Sequence, residues 1–394
     1  MELTRAEESI LKGEKGPMLG ELMQILVTLG ELNDASRLIP IWSAHLSGVS
    51  FKTMGLPGTE FLEDAAKEVR FSVRTTVNPA GYDVGGPGIV KADNDFRWKQ
   101  ERIVRAMLAM GALPTFTCTP YSTEFAPPAG THLAWAESSA VIYVNSVVGA
   151  FSNREGAPTA LASAVVGKTP DYGLHRPEGR RPNMLVDIDA SKGPISFTVL
   201  GAYLGKILGS KIPYVRGVSP GVDSMKEMGA AMSAWGSVPM FHVEGVTHEA
   251  KSQKLDKMDG MTVDAKQLAE FEHSLGGDEE PNLVAIGCPH CNVNELTILA
   301  EAIKKKGGKV RPGKEIWAFT NRSLIAANPD LVEGLKRAGV KIVQDTCMVV
   351  APIGSQFPVI AVNSAKAAFY ASRKSFSGQK VVFGTTEELI RKYV

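Results

Sequence analysis

Cysteine is scarce, with four residues in 394. So few thiols exclude a disulfide-stapled scaffold, and a reducing compartment is the expectation for such a chain. Charge of one sign is scarce as well. The net charge of +1 gives no long-range field to draw in nucleic acid or an anionic membrane. No basic run interleaves with aromatic residues, and no apolar run is uninterrupted enough to span a bilayer. The opening MELTRAEESILKGEKG carries early acids and no apolar signal core, so the cytoplasm is expected. Internal repeats and low-complexity segments are missing too. What is present is ordinary for a globular chain: 44% apolar and 22% charged residues, enough for one large core or two moderate ones. The 39 glycines and 23 prolines punctuate apolar segments, which predicts many tight turns.

A strand–loop–helix rhythm runs through most of the chain. Helices are predicted at 17–32, at 59–69 behind a threonine cap, and at 95–111, 197–210 and 264–276. Strands are predicted at 38–46, 70–77, 113–117 and 238–243, then at 282–287, 315–320, 341–346, 358–363 and 380–384. The Ala-, Ser-, Val- and Gly-rich stretch 131–166 reads as closely packed helices. Parallel strands need helical crossovers, so the alternation predicts an α/β protein with mainly parallel sheets. Two interlocked α/β lobes are expected, 1–167 with C-terminal segments and 195–394, meeting near the Pro-, Arg- and Gly-rich 168–194.

Cys118, Cys288 and Cys347 each follow an apolar, β-rich run, and Cys291 completes a CPHC pair with Cys288. Open α/β sheets gather ligands at the carboxyl ends of their strands, so thiols distant in sequence can meet there. Several chemistries are open. GCPHC lies between a strand and a helical run, a setting that favours a thiolate and suits a redox dithiol. Zinc is another choice, although structural four-thiolate sites usually pair two close-spaced motifs, and Cys118 and Cys347 are isolated. Cysteines can also be small buried hydrophobes. An iron–sulfur cluster held by Cys118, Cys288 and Cys347 fits better, because each of the three lies at the mouth of its own strand. Three protein ligands leave one iron open as a Lewis acid for a substrate hydroxyl and carboxylate. Cys291 is free to point elsewhere. A [4Fe-4S] core, or [3Fe-4S] after iron loss, suits three thiolates.

SAHLSGVSFKTMG (43–55), TTVNPAG (75–81), FTCTPY (116–121), WAESSAVIYVNSVVGA (135–150), GCPHC (287–291) and QDTCMVV (344–350) together resemble the aconitase X family, in its archaeal large-subunit form. The resemblance runs over essentially the whole length. It implies an aconitase-like cluster site at strand carboxyl ends, with Cys118, Cys288 and Cys347 as ligands. It also implies a hydro-lyase that removes water from (R)-5-phosphomevalonate to give trans-anhydromevalonate 5-phosphate in the archaeal mevalonate route to isoprenoids. Another branch of the family dehydrates cis-3-hydroxy-L-proline. The chain ends at RKYV with no added domain, so a separate small subunit, the swivel domain, is expected as partner. That subunit is expected to bring the catalytic base, a serine. No Ser/His/Asp arrangement in this chain nominates a base of its own. A metal-binding scaffold without catalytic activity is the rival of another class.

The substrate contacts implied by the resemblance are Gly48, Val49, Ser50, Asn78, Pro79, Glu137, Ser138 and Lys366. Each has a physical reading of its own. Gly48, Val49 and Ser50 leave a strand, where free amides and hydroxyls can hold an anion, or form a plain turn. Pro79 confines Asn78 to extended geometry. Glu137 opens a small, apolar helix, where a carboxylate suits the dipole and can be no more than a cap. Lys366 opens another helix, where an ammonium is unfavourable unless an anion faces it. Arg180, Arg181 and the lysines at 304–306 read as solvated faces. His242, Glu244 and His248 do not follow HExxH spacing, and GGPG at 85–88 is not a dinucleotide fingerprint.

Overall fold

Strands that are apolar at every position need cover on both faces, and parallel sheets between helices give it. The computed structural model, which describes residues 1–255 and 258–393, contains three such sheets. The terminal Val394 of RKYV lies outside the described residues. In spatial order the first sheet is Arg74–Val77, Ser43–Leu46, His132–Trp135 and Phe151–Arg154, parallel throughout, with His45 paired to Thr76 on one side and Trp135 on the other. The second is Gly260–Asp264, Met184–Asp189, Pro213–Arg216 and His242–Val243, also parallel. The third is Val340–Val343, Glu315–Thr320, Leu283–Cys291, Val359–Val362 and Lys380–Phe383, again parallel. Its central strand, Leu283–Cys291, is buried at all positions. One antiparallel pair, Leu38–Pro40 with Lys168–Pro170, stands apart.

Local chemistry sets the helix starts that frame these sheets. Asp93 accepts from the Phe96 amide at 2.7 Å and opens Asn94–Ala109. Asn292 and Glu295 cap each other's backbone to open Val293–Lys305. Phe197–Leu208 and Val222–Trp235 pack closely because glycine lines their contact. A Cβ on Gly201 would lie 2.1 Å from the Met228 carbonyl oxygen. Among the described residues no helix is long and apolar enough to cross a membrane.

Several expectations change. The 38–46 strand is two, Leu38–Pro40 and Ser43–Leu46. A short helical segment opens at Phe51, with Ser50 accepting from the Lys52 amide at 3.3 Å, and is interrupted at Gly55, whose φ of 69° and ψ of −174° are not helical. The helix expected at 59–69 follows beyond that break and runs to Glu68, and Thr59 is no cap but donates to the Gly55 carbonyl at 2.7 Å. Residues 113–117 form no regular strand; Leu113 makes one isolated bridge to Thr76, and the positive φ of Phe116 (39°) breaks the extended run. The stretch 131–166 holds two strands, His132–Trp135 and Phe151–Arg154, besides its helices. Near 238–243 only His242–Val243 pairs. Arg180 is not solvated but 1% exposed, ion-paired to Glu249 and donating to the Asn145 and Leu174 carbonyls at 3.0 and 3.1 Å. Arg181 and Lys304, Lys305 and Lys306 are exposed as expected.

Candidate active site

The strands of the first and third sheets end toward a common cavity of about 370 Å³. Segments just past the four strands of the first sheet supply Gly48, then Asn78 and Pro79, then Glu137 and Ser138, with Arg154 and Glu155 at the end of the fourth. The third sheet supplies Cys288 from its central strand, Cys347 beyond Val340–Val343, and Lys366 beyond Val359–Val362. Cys118 reaches the cavity from the irregular segment after Phe116. The second sheet contributes none of the lining residues. The bond from the Ala80 amide to the Asp345 carbonyl, 2.7 Å, ties the loop of the first sheet to that of the third.

A chain of buried polar groups crosses the cavity wall. Lys366 donates to Glu137 Oε1 at 2.6 Å and to Ser139 Oγ at 2.8 Å. Asn78 Nδ2 donates to Glu137 Oε2 at 2.8 Å. Asn78 therefore turns Oδ1 toward His45, whose Nε2 lies 3.2 Å away and donates. Thr76 Oγ1 stands 2.8 Å from the opposite ring nitrogen, Nδ1. Burial pushes the His45 imidazole down to about 4, so near neutrality it is uncharged with its proton on Nε2. For Glu137, burial alone would raise the carboxyl; the Lys366 ammonium and the bonds from Lys366, Asn78 and Ser139 outweigh it and hold the group down to about 2. Burial disfavours the Lys366 ammonium, but the Glu137 carboxylate holds its pKa above the usual lysine value. The anion that the helix-opening lysine requires is thus Glu137, from another sheet, and Lys366 is buried rather than solvated.

The three thiols all line the cavity, are buried and are free of disulfides. The His290 amide donates to Cys118 Sγ at 3.2 Å, so the histidine of CPHC supports the site through its backbone. Its ring instead contacts Thr117 Oγ1 and the Thr346 carbonyl, both at 3.0 Å. Burial raises all three thiols, Cys118 to about 12, while amides at Val350 and Val349 pull Cys347 back toward the thiolate. Thiols of this kind keep their protons until a metal displaces them. Among the described residues no three His, Cys, Asp or Glu side chains stand close enough to hold one metal ion.

Other positions fall outside the lining. Val49 is buried behind it, its carbonyl accepting from Gln100 Nε2 at 2.7 Å. Ser50 caps its helix and donates to the Val350 carbonyl at 3.1 Å. Cys291 ends its strand rather than entering the next helix, and it packs in the core with Ile286 and Leu296. His242 is buried against the Arg180 carbonyl at 2.8 Å, while Glu244 and His248 are exposed. The GGPG loop serves the site indirectly: the Gly85 amide binds Asp345, two residues before Cys347, at 2.9 Å. His45, Ser139 and Arg154 belong to the site and escaped sequence reasoning. His45 and Ser139 lie inside segments quoted above without being singled out, and Arg154 lies in none of them.

Comparison with known proteins agrees along the whole chain. Family models described as the aconitase X first, second and third domains match residues 1–178, 182–273 and 281–394. The phosphomevalonate dehydratase large subunit of Methanosarcina mazei is 41% identical, covering 100% of this chain and 97% of that one. A cis-3-hydroxy-L-proline dehydratase of Hypocrea jecorina is 31% identical over 98% of this chain, but over 67% of its own length. The crystal structure of Thermococcus kodakaraensis aconitase X in its holo-form superposes with a TM-score of 0.93, at 40% identity and complete coverage of both chains. The chain belongs to the aconitase X family.

Proposed function

We propose that this chain is the large subunit of a hydro-lyase that removes water from (R)-5-phosphomevalonate, giving trans-anhydromevalonate 5-phosphate. The carrying observation is that three cysteines from remote segments wall one cavity together with the Lys366–Glu137–Asn78 chain. The names of the relatives sharing the whole length support the substrate, and the likeness to hydroxyproline dehydratases is weaker. A scaffold without catalysis leaves the paired polar chain at the cavity without a use. A Cys288–Cys291 dithiol has its second sulfur in the hydrophobic core.

Cys118, Cys288 and Cys347 would hold an iron–sulfur cluster, [4Fe-4S] when complete and [3Fe-4S] after iron loss. The donor set fits in kind: three buried sulfurs, free of disulfides, line one cavity, and backbone amides support those of Cys118 and Cys347. When bound, the cluster supplies an open, Lewis-acidic iron for the 3-hydroxyl and carboxylate of the substrate.

The remaining work falls to the chain's own residues. Lys366 spends two of its three N–H groups on Glu137 and Ser139, and the third is available to the substrate's carboxylate. Neutral His45, locked as a donor to Asn78, fixes that amide, and Pro79 holds its backbone extended. Gly48, at φ 75°, brings bare backbone to the wall beside Ser138. Val49 and Ser50 hold this turn from behind. Glu137 is too weak a base to take the proton at C2, because four donor contacts stabilise its anion. The family resemblance assigns the base to the partner, a serine on a small swivel-domain subunit, whose docking would close the cavity to water.

Anaerobic co-expression with the small subunit tests this. Formation of the conjugated alkene from phosphomevalonate is expected, with little from cis-3-hydroxy-L-proline. Preference for the proline substrate would overturn the substrate assignment. A cluster-loaded complex inert to both would overturn the hydro-lyase reading.

A further inference from the structure

Resting on that reading, we propose that Arg154 binds the phosphate of the substrate at the solvent-facing part of the cavity wall and sets the preference for a phosphorylated hydroxyacid. Phosphomevalonate is anionic at both ends, and the reading above places its carboxylate beside the cysteines and Lys366. Among the described residues two cations line the cavity, Lys366 and Arg154. Lys366 is buried and neutralised by Glu137. Arg154 is exposed, and among the described residues its guanidinium has no hydrogen bond, ion pair or ring contact.

Its position follows from the sheet. Arg154 is the last residue of the edge strand Phe151–Arg154, in register with Trp135, so it stands two residues from Glu137 across the ladder. The neighbouring carboxylate does not cancel it. Glu155 turns into the protein, accepting from Thr159 Oγ1 at 2.5 Å and Thr169 Oγ1 at 3.4 Å, and burial pushes its carboxyl up toward the neutral form. Among the lining residues the three cysteines are buried and Arg154 is exposed, so its guanidinium belongs to the solvent-facing part of the wall. A planar guanidinium makes paired, charge-assisted bonds to phosphate oxygens. With a whole-chain charge of only +1, discrimination for a phosphorylated substrate has to come from such a local group.

Steady-state kinetics of the cluster-loaded, two-subunit enzyme tests this. Arg154→Ala is expected to raise KM for phosphomevalonate about 10- to 100-fold while kcat changes little. Arg154→Lys should recover part of the loss. Inorganic phosphate should compete with substrate in the wild type and lose most of that effect in Arg154→Ala. Unchanged KM and unchanged phosphate inhibition in Arg154→Ala, with an active wild type, would overturn the assignment. A loss cured by excess small subunit would also overturn it, by placing Arg154 at the subunit contact. A wild type inert toward phosphomevalonate would bring down the functional reading itself, and this assignment with it.

Discussion

Deleting the ammonium of Lys366 isolates the electrostatics of the site from the cluster. Lys366→Met keeps the apolar stem and removes the 2.6 Å contact to Glu137, which retains only Asn78 and Ser139 as donors. In the wild type the Glu137 carboxyl is held below its usual 4.5, at about 2. A depressed acid contributes stability that is present above the unfolded value and lost as pH falls through the folded one. The difference corresponds to roughly 3 kcal/mol. Breaking a buried pair by removing one partner costs about 3–5 kcal/mol, the same order. Lys366 titrates on the other side. Its raised value adds stability that is complete below 10.5 and disappears in stronger alkali, so near neutrality the pair is intact. Once the ammonium is gone, burial dominates at Glu137 and its carboxyl rises. The apo-protein is then expected to lose about 3 kcal/mol near neutrality and to regain part of it as pH is lowered. Urea midpoints read by tryptophan fluorescence across acid and neutral pH check this, with Lys366→Arg as the charge-conserving control. A Lys366→Met midpoint equal to the wild type, with a parallel pH profile, would refute the reasoning.

Two further outcomes concern the frame. Arg180→Ala leaves Glu249 without its partner and the Asn145 and Leu174 carbonyls without a donor, so a loss of about 3–5 kcal/mol is expected in urea unfolding. Arg180→Lys should recover only part, because an ammonium cannot reproduce the fork. Gly201→Ala drives a methyl against the Met228 carbonyl and should lower stability by about 1–3 kcal/mol. Gly334→Ala, with nothing near its added Cβ and a helical setting, should instead add about 0.4–1 kcal/mol; a thermal melt distinguishes the two.

The parallel α/β plan was legible because strands such as Leu283–Cys291 open on apolar runs, here Leu283 to Ile286, and alternate with amphipathic helices. The misread stretches have physical causes. Four-residue strands buried on both faces show no period, so His132–Trp135 and Phe151–Arg154 hid among small residues that suit helices equally well. Gly55 and Pro57 look like a helix break and are one, but the second helix starts before Thr59, whose hydroxyl meets the Gly55 carbonyl instead of capping. Arg180 stands in a Pro- and Gly-rich run that reads as solvated, and its partner Glu249 comes from a remote segment. The site divides in the same way. Cys118, Cys288, Cys347, Asn78 and Glu137 stand in the quoted segments, Lys366 was implied by the resemblance, and all six line the cavity. His45 looks like one polar residue in an apolar strand; only the register that sets it beside Thr76 and the loop that returns Asn78 reveal its part. Arg154 ends a strand that was itself unrecognised.

The most direct measurement is iron and acid-labile sulfide content, with the visible spectrum, after anaerobic reconstitution of four single variants. Cys118→Ser, Cys288→Ser and Cys347→Ser are each expected to lose the cluster chromophore, whereas Cys291→Ser should keep it at wild-type stoichiometry. A full complement of iron and sulfide in any of the first three, or its loss in Cys291→Ser alone, would contradict the assignment of the three cavity sulfurs as the cluster's ligands.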